Sequence, residues 1–457
     1  MYVALAILAA ACSDATAPVD DTDPPPGPTV SVEQLSTLNP LTRGFRVDVA
    51  PTAAVTVDYW TEGEPRLRVR SDPGQSHELL VGRLLPDATY EYEVAFEFDD
   101  ATVTVDPATG SFVTDTLPTF LQAVTLTSTG ESTSPLVMLE LREPTFQGFA
   151  AVDSKGRVVW YHPTTGGSWS WTRRANGNFV FLDTGAGLNE VTPAGDIVAT
   201  LARANNESIH HDVIATPQNT VYFLTRHPQL VDGITWVGEI IWEWNPDTGG
   251  LAERWNSFDF LSPSTDTTSR STRSDWLHGN SLNVGPAGGI LLSSPWLNQV
   301  IAISSDFTAL AWRLGGKNAT IFTDSAGTFN FQHTASRLSE NRVLVFDNRG
   351  GGTSGFPVSR ALELEVDFAA DSARAVWSFQ APNDNYASII SAARRMANGN
   401  TMVTFGTSDG FRESRGPIEV YEVAPGGSIV WNLVVEGPAL MYRATPFGDI
   451  AGEVEVP

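Results

Sequence analysis

The chain has 457 residues with 53 acidic and 28 basic side chains, a formal charge of −25, which disfavours a nucleic-acid backbone as partner and leaves room for an anionic ligand only where the few basic groups converge. It is too long for one small core, and its 39 Gly, 29 Pro and 13 Trp, with no stretch that keeps a strong helical period, point to an all-β chain of sheets and turns. The single cysteine, Cys12, excludes an internal disulfide, a CxxC motif and a thiolate metal cluster.

Residues 1–28 read as a leader and linker. The apolar run YVALAILAAA ahead of Cys12 resembles a bacterial lipoprotein signal, in which Cys12 is lipidated and becomes the mature N-terminus. The alternative is a signal peptide, or a mis-called start, with an incidental cysteine. DDTDPPPG then serves as a flexible tether. The chain is therefore expected to be exported to the periplasm or cell envelope, with membrane contact only through that lipid, since no later segment is apolar for long enough to span a bilayer.

Residues 29–116 alternate apolar and polar positions in short runs such as FRVDVA, AVTVDYW, RLRVRS and YEYEVAFEF. The segment LLPDATYEYEV resembles the tyrosine corner of fibronectin type III domains, with Tyr90 returning its hydroxyl to nearby backbone, so a small β-sandwich is expected here.

From 117 to 457 a loose repeat takes over. SWTRRANGNFVFLD, HDVIATPQNTVYFLT, GNSLNVGPAGGILLSS, HTASRLSENRVLVFD and SAARRMANGNTMVTFG share a strand, a Gly or Asn turn and a second strand; GRVVWYHP, GEIIWEWNP, TALAWRLG, ARAVWSFQ and GSIVWNLV share a Trp at similar register. Spacing and content fit four-stranded propeller blades, five of them clear. A sixth forms if the strand near residue 140 combines with a C-terminal strand such as ALMYRATP. The tryptophans are expected to pack between blades.

A propeller brings its inner strands to one channel, so equivalent positions in distant repeats meet. His211 and His333 occupy equivalent places, and His278 in DWLHGNS is one position out of register. His77, His162 and His227 read as isolated. Strand alternation puts His210 on the face opposite His211. Asp212 reads as a local cap or ring-nitrogen partner, and Asp275 as a support for its loop. Asn280 flanks His278; Asp347 and Asn348, in FDNRGGG, read equally as a turn or as ligand contacts. Trp276, Trp296 and Phe331 are candidates for an aromatic wall. Arg360 is the candidate fork for an oxyanion. Three imidazoles with nearby carboxylates also suit zinc or iron, though without HExxH spacing; no metal or cofactor is assigned.

Taken together, HHD (210–212), DWLHGNS (275–281), FQHTAS (331–336), FDNRG (346–350) and SRALELE (359–365) resemble the bacterial aryl-sulfate sulfotransferase family over most of the chain from about 120 onward. The resemblance implies a β-rich N-terminal domain before a six-bladed propeller, and an exported enzyme that moves a sulfuryl group from an aryl sulfate to a phenol without a nucleotide donor. It implies that His278, His333 and Arg360 bind and polarise the transferring group, with His211 in support. One feature departs from the family: its sulfated histidine lies in a late blade, whereas no histidine follows His333 here and Ser391 stands near that position. Direct transfer, recruitment of His211 or His278, and ligand binding without turnover all remain open. A non-catalytic propeller for an anionic aromatic or sugar ligand, and an aryl sulfate hydrolase, are the alternative functions.

Overall fold

The computed structural model describes residues 27–100, 102–202, 208–349, 358–437 and 439–456. Cys12, nearly all of the expected leader, and Gly350, Gly351 and Gly352 of the FDNRGGG run lie outside them. Among the described residues no helix is long and apolar enough to cross a membrane.

The N-terminal unit is built on one 18-residue strand, Arg43–Trp60. Its first half pairs with Thr29–Leu35 and Gly74–Val81, and its second half with Leu67–Arg70 and Thr89–Phe98. Alternate residues, among them Phe45, Val47, Val55, Val57 and Tyr59, point into one fully buried core, which is why this stretch reads with period two in the sequence. The Tyr90 hydroxyl accepts the Leu85 amide hydrogen at 2.9 Å and fixes the corner before its strand.

The rest of the chain forms six radially arranged sheets. Blade 2 is Ser168–Arg173, Phe179–Asp183, Gly187–Val191 and Ile197–Ala202; blade 3 is Ile209–Ala215, Val221–Val231, Ile234–Trp244 and Leu251–Asn256; blade 4 is Ser281–Val284, Ile290–Ser294, Gln299–Ile303 and Leu310–Leu314. Blade 5 runs from His333–Ser339 through Arg342–Asp347 and Arg360–Asp367 to Ser372–Phe379, with Phe322–Thr323 added in parallel. Blade 6 runs from Ala392–Arg395 through Thr401–Phe405 and Ile418–Val423 to Ile429–Glu436.

The two chain ends close the circle. Leu440–Phe447 is the innermost strand of blade 1, paired with Leu136–Arg142, and Gln147–Asp153 and Val158–Pro163 complete that blade. Thr125–Gly130 becomes an extra outer strand of blade 6. The innermost strands then touch their neighbours all the way round. Past this closure, Val454–Glu455 pairs with Leu67 and Arg68, so the C-terminus also binds the propeller to the N-terminal unit.

Position within a blade explains the sequence pattern. Middle strands such as Phe179–Asp183 and Ile418–Val423 are buried along their whole length because neighbouring blades cover both faces, so they read as continuous runs. The outer strand Ile429–Glu436 alternates, with Trp431, Leu433 and Val435 turned inward. The tight turns between first and second strands need a residue with positive φ, met by Gly177 at 87° and Gly399 at 90°.

A buried ion pair ties the closing strand across the channel. Arg443 donates to Asp212 at 2.6 Å, and both side chains are 1% exposed. Ser170 of blade 2 donates to the same Asp212 oxygen, and the Leu282 amide of blade 4 donates to the other. Asp212 is thus a hub joining four blades, not the imidazole partner that its place beside His211 suggests. Removing one partner of a buried pair leaves the other charge uncompensated. Arg443→Met is expected to lower unfolding free energy by about 3–5 kcal/mol in urea titrations; a loss below about 1 kcal/mol contradicts the hub role.

Candidate functional site

At one end of the channel the inner strands open into a cavity of about 580 Å³. His210, His211, His278 and His333 all line it, with Trp169, Trp296, Phe331 and Tyr442 as aromatic walls and Arg142, Arg226 and Arg412 as cations; Asp275 is the one carboxylate among the lining residues. A chain of net charge −25 therefore concentrates positive charge where the imidazoles meet.

Two imidazoles reach this rim through backbone that alternation does not anticipate. Register slips between His210 and Val213, and His211 adopts φ of 60°, so adjacent residues turn to the same side instead of opposite faces. The rings meet edge to face, with 2.7 Å between their Nδ1 atoms. His210 Nε2 lies 2.8 Å from Glu239 Oε2, and the Gly279 amide donates to Glu239 Oε1 at 2.9 Å. Burial, reinforced by the charges of His278, His210 and His333, pushes His211 well below its ordinary pKa, so this ring is neutral at pH 7.

His278 sits in the loop ahead of blade 4, also left-handed at φ of 54°, with its ring stacked on Trp296 at 4.2 Å. Its Nδ1 donates to Asp275 Oδ2 at 2.5 Å, which leaves Nε2 free of any partner among the described residues. Burial raises the Asp275 carboxyl, but the hydrogen bond and charge of His278, aided by Arg226, outweigh it and hold the pKa below the usual value. The His278 ring lies 4.7 Å from that of His211.

His333 has no free nitrogen. Its Nδ1 donates to Asn348 Oδ1 at 2.7 Å and its Nε2 accepts the Ile390 amide hydrogen at 3.2 Å. Burial takes its pKa down to about 3, against the hydrogen bonds to Asn348 and the Phe331 carbonyl, which raise it. Asn348 spends its amide on the carbonyls of Ala387 and Ile390, so it fixes the tautomer of His333 without reaching the cavity.

Arg360 does not join the imidazoles. Its guanidinium is held by Asp347 at 3.1 Å and by the carbonyls of Ala326 and Thr328, away from the lining residues. Asp347 is consumed by that pair and by the amides of Asn330 and Arg349. Trp276 is fully buried against Phe258 and donates to the Asp266 carbonyl, and Asn280 binds the Gln332 carbonyl within the channel wall. Trp296 and Phe331 do line the cavity. Of the isolated histidines, His162 stacks on Phe181 between blades, and burial lowers its pKa to about 4.

The arginines that reach the cavity were not singled out from sequence. Arg142 lies 3.7 Å over the Trp169 ring, donates from Nε to the Ser168 carbonyl, and has a buried Nη2 without a partner. Burial lowers it to about 10, still cationic at neutral pH. Arg226 approaches Asp275 at 3.6 Å, and its Nε is unpartnered. Tyr442 had a usable signal: placing its strand innermost in blade 1 sets it where other blades present histidine. Glu239 had none, since GEIIWEW reads only as an alternating strand. Among the described residues no group of three His, Cys, Asp or Glu side chains is arranged to hold a metal ion.

The arylsulfotransferase (ASST) family model matches residues 115–443. None of the curated proteins matches the sequence. Among solved structures, a virginiamycin B lyase from Staphylococcus aureus is 10% identical with a TM-score of 0.39, covering 72% of this chain and 97% of its own. A gluconolactonase from Xanthomonas campestris is 10% identical with a TM-score of 0.38, covering 68% and 90%. A calcium-binding regucalcin from Agrobacterium tumefaciens is 12% identical with a TM-score of 0.38, covering 69% and 97%.

The neutral burial of His333 makes a stability prediction. Its folded pKa lies below the unfolded value of about 6.5, so the unfolded chain takes up the extra proton and stability falls as pH drops from about 6.5 towards 3. Between pH 7 and pH 5 the wild type is expected to lose about 2 kcal/mol more than His333→Gln in urea titrations. Equal losses would show that His333 is not buried neutral.

Proposed function

Because the chain belongs to the arylsulfotransferase family, we propose that its histidine cavity transfers a sulfuryl group from an aryl sulfate to a phenol. The family implies small-molecule aryl sulfate and phenol substrates. The observation that carries the assignment to this cavity is the pair of neighbouring imidazoles, His211 and His278, each fixed at Nδ1 and without a partner at Nε2 among the described residues.

The chemistry needs an aromatic wall, positive charge for the sulfate oxygens and a group that moves the phenolic proton. Trp169, Trp296, Phe331 and Tyr442 offer ring faces for donor and acceptor. Arg142, Arg226 and Arg412 line the cavity and supply positive charge for the non-bridging oxygens, whose charge grows during transfer. His278, oriented by Asp275, protonates the leaving phenolate and then takes the proton of the incoming phenol. His333, held at both nitrogens, shapes the wall. We also propose export, with Cys12 as the lipid attachment site, from the leader alone.

One observation favours binding without turnover. Ser391, near the family's missing late-blade histidine, is buried and spends its hydroxyl on the Ile389 carbonyl and the Gly406 amide, so it offers no nucleophile there. A chromogenic aryl sulfate assay separates the readings. Phenol-dependent release of chromophore is expected, with kcat/KM reduced on the order of 100-fold in His278→Gln. Saturable binding with no release supports a binding protein, and release at the same rate without phenol supports a sulfatase.

A further inference from the structure

A groove of about 850 Å³ opens beside the histidine cavity and shares Arg142, Trp169, Phe411 and Leu440 with it as a common wall. Beyond that wall its charged lining is Glu143 and Asp409, with no basic side chain other than Arg142. A ligand that spans both chambers therefore leaves arginines and meets carboxylates. Glu143 is the first residue after the strand Leu136–Arg142, in a tight turn closed by its amide donating to the Phe146 carbonyl at 2.7 Å. It is only 7% exposed, yet its Oε1 is shut away without a hydrogen-bond partner, and no arginine or lysine pairs with its carboxylate among the described residues. Leaving a buried carboxylate unpaired is costly, and burial raises its pKa with no neighbouring cation to oppose the shift. Asp409 lines the groove from the loop after Thr401–Phe405. The Gly416 amide engages its Oδ1 at 2.7 Å, and the loop is pinned by Thr407, which donates to the Ser414 hydroxyl at 2.7 Å and bridges to Leu440 of the closing strand.

We propose that this groove binds a cationic arm on the aryl ligand, with Glu143 selecting an alkylammonium group and Asp409 supporting it; this rests on the sulfuryl-transfer reading above and names the substrate class of that site. The ring lies against Trp169 and Phe411, which belong to both chambers, with the sulfate or phenolic end among the arginines and the ammonium end at Glu143. An aliphatic ammonium keeps its charge at pH 7 and carries three donors, so it satisfies the carboxylate and offsets its charge together. A hydroxyl arm donates once and leaves the charge uncompensated; a carboxylate arm is repelled. The change of sign across the common wall also fixes orientation, because a ligand with an anionic head and a cationic tail fits the two chambers one way round. Either the donor sulfate or the acceptor phenol can carry such an arm.

The test compares para-aminoethylphenol with its uncharged analogue para-hydroxyethylphenol, each as acceptor from a chromogenic aryl sulfate and each, as its sulfate ester, as donor to phenol. In parallel, calorimetry at pH 7 measures binding of para-aminoethyl- and para-hydroxyethylbenzenesulfonate, which cannot transfer their group. The wild type is expected to favour the amine about 10-fold in kcat/KM in at least one of the two roles and about 10-fold in sulfonate affinity, the scale of one hydrogen bond to a charged group. The role that shows the preference identifies whether donor or acceptor carries the arm. Glu143→Gln is expected to bring both ratios to about 1, and Asp409→Asn, on an exposed loop, to lower them about threefold. Should Glu143→Gln fail to fold, Asp409→Asn decides. Transfer with no preference for the amine in either role, or a preference that both variants keep, overturns the proposal and leaves sulfuryl transfer standing. A sulfonate preference that Glu143→Gln abolishes, in a wild type that transfers nothing, supports the groove and overturns the transfer reading. Neither transfer nor preference overturns both.

Discussion

Everything at the site depends on closing the ring of inner strands. Blade 1 cannot supply its own innermost strand from the neighbouring sequence, so Leu440–Phe447 must return from the far end of the chain and pair with Leu136–Arg142. That strand brings Tyr442 to the cavity and Arg443 to the axis, where Asp212 gathers contacts from four blades. Loop closure over such a length is entropically costly, and the burial along the blade interfaces together with the central ion pair must offset it. Once the ring is shut, His211 of blade 3, His278 ahead of blade 4 and His333 of blade 5 are neighbours.

The same closure creates the electrostatic contrast on which function rests. The cavity is desolvated enough to keep His211 and His333 uncharged, yet three arginines line or approach it in a strongly acidic molecule. Neutral imidazoles preserve lone pairs for chemistry, while permanent guanidinium charges attract the anion whatever the pH. Dividing those tasks between residue types leaves anion binding to the guanidiniums and frees the imidazoles for proton transfer.

Much of this was legible in the sequence because it follows from repetition. Equivalent turns and Trp-bearing strands gave the blades, and the joining of a C-terminal strand to the region near residue 140 gave the sixth. The convergence of His211, His278 and His333 followed from their repeat positions. What failed were inferences from ideal local geometry. Alternation placed His210 away from His211, but a bulge and a left-handed residue reversed that. Arg360 starts a third strand, where Asp347 on the paired strand captures its side chain before it can reach the channel. Glu239 reaches His210 across its own blade and Arg142 reaches Trp169 across the blade boundary, and neither contact leaves a periodic trace in its strand.

Under the proposed function one cavity holds the transferring group against both His211 and His278. A crystal structure with a bound arylsulfonate tests it most directly, since the carbon–sulfur bond prevents turnover. The sulfonate is predicted to lie within about 3.5 Å of Nε2 of both His211 and His278, with its ring against Trp296 or Trp169. A sulfonate seated elsewhere, on the Arg360 side of blade 5 or on an outer blade face, would contradict the account.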